Sequence, residues 1–102
     1  MSTIDAAAIK RIVIACDAGM GSSVMLAAQL SSALRKYEVS VRHAPVNKIP
    51  PDADLVMCQE ALVARARSAV PGTAVLGFRM FLGDPLFDQL EKAIKNGTRI
   101  EY

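Results

Sequence analysis

Eight consecutive residues, Cys16-Asp17-Ala18-Gly19-Met20-Gly21-Ser22-Ser23, carry the chemistry most easily read from this chain. They follow an apolar run, Ile12-Val13-Ile14-Ala15, and precede a helix-patterned segment from Val24 to Lys36. A thiol therefore stands where a buried strand ends and a small-residue loop turns into a helix. Successive backbone N–H groups of such a turn converge on one concavity, and the helix N-terminus adds partial positive charge, so the place suits an anion. The same field favours thiolate over thiol. A sulfur at Cys16 is thus placed both to attack a phosphoryl group and to hold it. The hydroxyls of Ser22 and Ser23 can donate to that group, cap the helix, or do both.

Other loops of this kind differ in their residues. GxGxxG is absent, the loop glycines being Gly19 and Gly21, and no GK[ST] follows, which counts against dinucleotide and Walker-type sites. A tyrosine-phosphatase loop places arginine six residues after its cysteine, whereas this chain has Ser22 there. Without a guanidinium fork to clamp the phosphate, and without an evident general acid, a phosphocysteine here should hydrolyse slowly. The loop is suited to holding a phosphoryl group and passing it on. The blander alternatives are a packed, inert cysteine beside structural glycines, and a redox-sensing thiol. Against the first stands the backbone entropy of so many small residues in a row.

The elements around the loop follow an alternating pattern. Arg11–Ala15 reads as a strand buried on both faces, and residues 22–36 as a helix with Ser22 or Ser23 at its N-cap and Met25, Leu26, Leu30 and Leu34 inward. Val39–Ala44 alternates and reads as a strand nearer an edge. Pro45–Asp52 holds three prolines and is a crossover loop. Asp54–Cys58 is a central strand, Gln59–Ala69 a short helix, and Ala74–Gly77 a fourth strand. Phe78–Gly83 is a loop, and Asp84-Pro85 starts a last helix that stops at Asn96-Gly97. Strand and helix alternate, so the expected fold is α/β: three α-β-α layers around a four-stranded parallel sheet, with a phosphatase-like loop after the first strand. Ligands in such sheets bind beyond the carboxyl ends of the strands, where Cys16 falls.

Composition sets the outer bounds. The 102 residues are 52% hydrophobic and 22% charged, with a net charge of +2. That fits one globular domain and is too mild to imply nucleic acid as a partner. Residues 1–10 read as a loosely held N-terminal leader without a signal-peptide pattern, and residues 11–102 as the domain itself. No apolar stretch approaches the roughly 18 residues that span a bilayer, so the expected location is cytoplasmic. The two cysteines, Cys16 and Cys58, form no CxxC or Cys/His cluster, and no metal or organic cofactor is expected.

Cys58 ends its strand near Cys16 and is either a small buried hydrophobe or a resolving thiol. His43, the only histidine, reads as a surface or edge residue. Arg79 follows the fourth strand and is a possible accessory residue at the rim, toward phosphate or an acidic partner. Met20, Met25, Met57 and Met80 read as packing, while Phe78, Phe81 and Leu82 suit either core or docking.

With those residues in view, the segment Ile12 to Ser23 closely resembles the phosphorylation loop of mannitol-type enzyme IIB domains of the bacterial sugar phosphotransferase system. Val46 to Val56 is similar to the same family's crossover and third strand. Where mannitol-type relatives carry Thr-His-Arg, this chain has Cys58-Gln59-Glu60, and Val75 to Leu82 is nearer the ascorbate-type IIB. The resemblance implies a cytoplasmic phosphocarrier. Cys16 would accept a phosphoryl group from a phosphohistidine of enzyme IIA and deliver it to a sugar or polyol held by membrane enzyme IIC. Asp17, Ala18, Gly19, Met20, Gly21, Ser22 and Ser23 would cradle the group. A mannitol-like acceptor is expected, with ascorbate or galactitol as alternatives, and a monomer suffices for the task.

Overall fold

The computed structural model describes residues 3–16, 21–79 and 85–102, with backbone alone at residues 21–23. In chain order the strands are β1 (Thr3–Asp5), β2 (Arg11–Cys16), β3 (Ser40–Pro45), β4 (Leu55–Gln59), β5 (Ala74–Phe78) and β6 (Arg99–Glu101). The α-helices are α1 (Gly21–Leu34), α2 (Val63–Ala69) and α3 (Pro85–Asn96). Strands β3-β2-β4-β5 form a four-stranded parallel sheet in that order. This is the expected α/β arrangement.

Period-two alternation explains why the inner strands read as unbroken apolar runs. Ile12 and Ile14 of β2, with Leu55 and Met57 of β4, pack under Leu26, Leu30 and Leu34 of α1 and Leu90 of α3. Val13, Ala15, Val56 and Cys58 face the other way, onto Ala66 of α2. Both faces of β2 are therefore covered, while β3 lies at the sheet edge, as expected, and carries exposed Arg42 and His43 in succession. The register of β2 on β4 is pinned at its start. Asp54 Oδ2 accepts the N–H groups of Lys10 and Arg11 at 2.9 and 3.0 Å, and the Asp54 N–H donates to the Arg11 carbonyl at 2.9 Å.

Several boundaries differ from expectation. The supposed loose leader is tied down: β1 pairs antiparallel with β6, and Ala6 and Ile9 are buried in the α1/α3 core. Three-residue strands at both chain ends carry too little periodicity to be read locally, and only their mutual pairing satisfies them. Helix α1 begins at Gly21, so Ser22 and Ser23 lie in its first turn rather than ahead of it. It ends at Leu34, and a 3-10 turn, Arg35–Tyr37, closes onto Glu38 in the left-handed region (φ 62°). Residues 59–69 divide into a 3-10 turn, Glu60–Leu62, and α2. The proline-rich crossover holds only the single 3-10 turn Val46–Lys48. Phe78 belongs to β5 and is buried, its ring 5.4 Å from that of Phe87. Phe81 and Leu82 lie outside the described residues.

Candidate phosphoryl site at the carboxyl edge of the sheet

Cys16 is the last residue of β2, an inner strand, and sits opposite Pro45, the last residue of β3. Its thiol donates to the Ala44 carbonyl across 3.7 Å, a long sulfur contact. The residue is 7% exposed, so the sulfur is largely covered rather than openly displayed. Burial eases along the strand all the same, from fully covered Ile14 through Ala15 to Cys16 at the rim. A thiolate has no hydrogen for the Ala44 carbonyl, so ionisation removes that contact with β3.

Helix α1 starts five residues on, at Gly21. Its first turn contains no acidic residue to offset the positive end of the helix. Between them lie Asp17, Ala18, Gly19 and Met20, which fall outside the described residues, as do the side chains of Gly21, Ser22 and Ser23. The expected cradle therefore rests on sequence at those positions. Its two flanks, strand end and helix start, are where the residue pattern put them.

Cys58 pairs with Ala15, not with Cys16, and shares Ala15's face. Alternation puts Cys16 on the opposite face, with Ile12 and Ile14. The sheet therefore divides the two thiols, and both are free cysteines. Burial pushes the Cys58 thiol up to about 11, against a smaller lowering by Arg67. A neutral thiol on the wrong side of the sheet does not serve as a resolving partner, so Cys58 is the small buried hydrophobe of the two readings.

The remaining candidates separate cleanly. His43 is exposed at the β3 edge, opposite Ile14 and away from the strand tips. Arg79 stands just past β5, and its Nε donates to Glu60 Oε2 at 2.8 Å. Met57 is fully buried, as packing requires, whereas Met25 is 60% exposed near the start of α1, contrary to expectation. Val24, 47% exposed, is a second large apolar side chain left at the surface there. The reason lies in α1 itself, whose outward side bears Val24, Met25 and Ala28 as well as polar residues, so composition alone does not tell inside from outside. Glu60 was not singled out from sequence. Its partner lies 19 positions away, and no local pattern announces such a pair.

Among the described residues no His/Cys/Asp/Glu group could hold a metal ion, and no helix is long and apolar enough to cross a membrane.

Comparison with known proteins bears on this geometry. A family model described as "PTS system, Lactose/Cellobiose specific IIB subunit" matches residues 11–94. The mannitol-specific EIICB component of Bacillus subtilis is 35% identical over 96 residues, covering 92% of this chain and 20% of that protein. The corresponding Geobacillus stearothermophilus protein is 37% identical over 91 residues, covering 87% of this chain and 19% of that protein. The mannitol-specific EIICBA component of Escherichia coli is 35% identical over 100 residues, or 95% of this chain and 16% of that protein. The chain thus spans between 16% and 20% of the length of these relatives. Among solved structures, the lactose-specific IIB component domain from Streptococcus pneumoniae superposes with a TM-score of 0.54 at 19% identity, covering 86% of this chain and 93% of that one. That likeness concerns the fold.

Proposed function

Because the chain belongs to the IIB subunit family of the sugar phosphotransferase system, we propose that it is a phosphocarrier whose reactive atom is Cys16 Sγ. The supporting observation is the place of that sulfur. It lies at the carboxyl end of an inner parallel strand, one short loop before a helix whose first turn bears no acidic residue. Backbone dipoles at such a place stabilise charge that develops on a phosphoryl group in flight.

Two displacements make up the cycle. In the first, the Cys16 thiolate attacks the phosphorus of a phosphohistidine on enzyme IIA. An S–P bond forms as the P–N bond breaks, and its electron pair returns to the imidazole nitrogen. In the second, a hydroxyl oxygen of the sugar held by enzyme IIC attacks the same phosphorus. The S–P bond breaks, the thiolate is regenerated, and the hydroxyl proton is released. Positioning and amide dipoles supply the catalysis in both steps, with no cofactor. Asp17, Ala18, Gly19, Met20, Gly21, Ser22 and Ser23 cradle the group, and Ser22 in the place of a phosphatase arginine leaves water a poor competitor.

The acceptor we assign is mannitol or a closely related polyol, on the strength of the mannitol-specific relatives. The carrier works as a monomer on the cytoplasmic side of the membrane. The test is incubation of the chain with phosphoenolpyruvate and the upstream phosphohistidine proteins, followed by peptide mass spectrometry. Wild type should gain one phosphoryl group on the peptide containing Cys16, and Cys16→Ser none. Labelling on histidine, or none on wild type, overturns the proposal. Mannitol phosphorylation by membranes whose permease lacks its own IIB should then depend on added wild-type chain; turnover of another sugar in its place overturns the acceptor assignment alone.

A further inference from the structure

Two side chains at the same end of the sheet as Cys16 are left unused by the transfer steps. Glu60 opens the 3-10 turn after β4, and Arg79 directly follows β5. The turn sits hard against β5 at Gly77: a Cβ there would come 3.2 Å from Glu60 Cα and 2.7 Å from Val63 Cγ2. Only a residue without a side chain lets the turn approach so closely, and that approach brings Glu60 to the Arg79 Nε at 2.8 Å. The pair lines an open cleft with Gln59 and Ala61. The Arg79 and Glu60 side chains are 83% and 60% exposed, so water screens the pair, and it holds the guanidinium without locking it.

The strand register sets the distance to the sulfur. Ala15 pairs with Cys58 and Gln59 with Phe78, so Cys16, Gln59 and Phe78 fall on one row across the sheet. Arg79 is one residue beyond that row. The Glu60 turn that holds it lies on the α2 face, opposite the Ile12/Ile14 face that alternation gives Cys16, so a guanidinium reaching the sulfur passes over the strand tips. Only β4 separates β2 from β5, which makes the crossing about 10 Å from strand to strand. An extended arginine spans most of that gap, and a phosphoryl group on Sγ reaches part of the way back.

We propose that Arg79 is a mobile counter-charge for the phosphorylated state, parked on Glu60 while Cys16 is free and drawn to the phosphoryl group once Cys16 carries one. The proposal rests on the carrier reading. The driving force is a difference in charge. Glu60 offers one negative charge, whereas a phosphoryl group offers roughly 1.5 to 2, with three strong acceptor oxygens. The arginine fork fits either, and binds the more highly charged partner more strongly. The chain thereby gains a guanidinium that its loop lacks, one that arrives after the phosphoryl group rather than waiting in place for hydrolysis.

Nitrogen-15 NMR of the full chain reads the switch directly. The Arg79 Nε–H resonance, assigned by its loss in Arg79→Lys, should shift when the phosphohistidine cascade phosphorylates wild type and stay put in Cys16→Ser. Glu60→Gln should move the resting resonance while leaving its phosphorylated position alone. Arg79→Ala should shift the equilibrium of phosphoryl exchange with the cascade about tenfold away from phospho-Cys16, the worth of one charge-assisted hydrogen bond, with Arg79→Lys recovering part of the loss. If wild type is phosphorylated on Cys16 while the resonance is unmoved, or if Arg79→Ala holds as much phosphoryl group at equilibrium as wild type, the counter-charge is overturned and the carrier stands. If wild type is never phosphorylated, the carrier reading falls first and this one with it.

Discussion

Cys16 and Cys58 are one register step apart on neighbouring strands, yet their surroundings differ enough to divide their chemistry. Cys58 is sealed under α2, and its burial raises the thiol from an ordinary 9.0 to about 11. Folding thus keeps a proton that the unfolded chain gives up. The stability this contributes is complete below about pH 9 and is lost as pH rises toward about 11. Over that window wild type should lose on the order of 2 kcal/mol more than Cys58→Ala, measured by urea melts at a series of alkaline pH values. At neutral pH a maleimide should leave Cys58 untouched until the protein is denatured. Asp54 matters in a different way, by accepting two backbone N–H groups where β2 begins. Asp54→Ala should cost about 1–3 kcal/mol in the same melts, because those donors lose a charged acceptor.

Glycines set the fit between elements at two places. Gly77 lets the Glu60 turn lie on β5, and a Cβ there would strike Val63 Cγ2 at 2.7 Å. Gly77→Ala should therefore destabilise the chain by about 1–3 kcal/mol by denaturant titration. Gly97 ends α3 at φ 67°, and the Thr98 N–H closes back on the Ala93 carbonyl at 3.0 Å. This is a Schellman stop, which favours a residue without a Cβ. Helix α1 shows how unevenly an element's apolar residues contribute. Leu34→Ala empties a fully buried site and should cost about 2–5 kcal/mol, while Met25→Ala, at an exposed one, should stay within about 0.5 kcal/mol.

Across the whole molecule, structural reinforcement and chemistry lie at opposite ends of the sheet. The β1–β6 ribbon joins the start of the chain to the residues after α3, on the side where β2 begins, whereas Cys16, Glu60 and Arg79 gather where β2, β4 and β5 end. Removing residues 1–5 should lower the melting temperature by leaving β6 without its strand partner. The rate at which Cys16 is phosphorylated should not change. A truncation that abolished phosphorylation in a chain still folded by circular dichroism would contradict this separation.

Much of the architecture could be read directly because each signal was local. Ile12-Val13-Ile14-Ala15 is a run that only a strand covered on both faces accommodates, and Asp84-Pro85 and Asn96-Gly97 bracket α3 with turn chemistry independent of the rest of the chain. The position of Cys16 at a strand end before a helix follows from the same short-range rules. Tertiary structure alone decided which face each thiol occupies, that Glu60 meets Arg79, that Met25 lies outside and that the first residues pair with the last. These depend on strand order and register, and they bring together residues 19 to 98 positions apart in the chain. Periodicity and propensity act over a few residues, so they place a side chain on its own element. Packing chooses its neighbour.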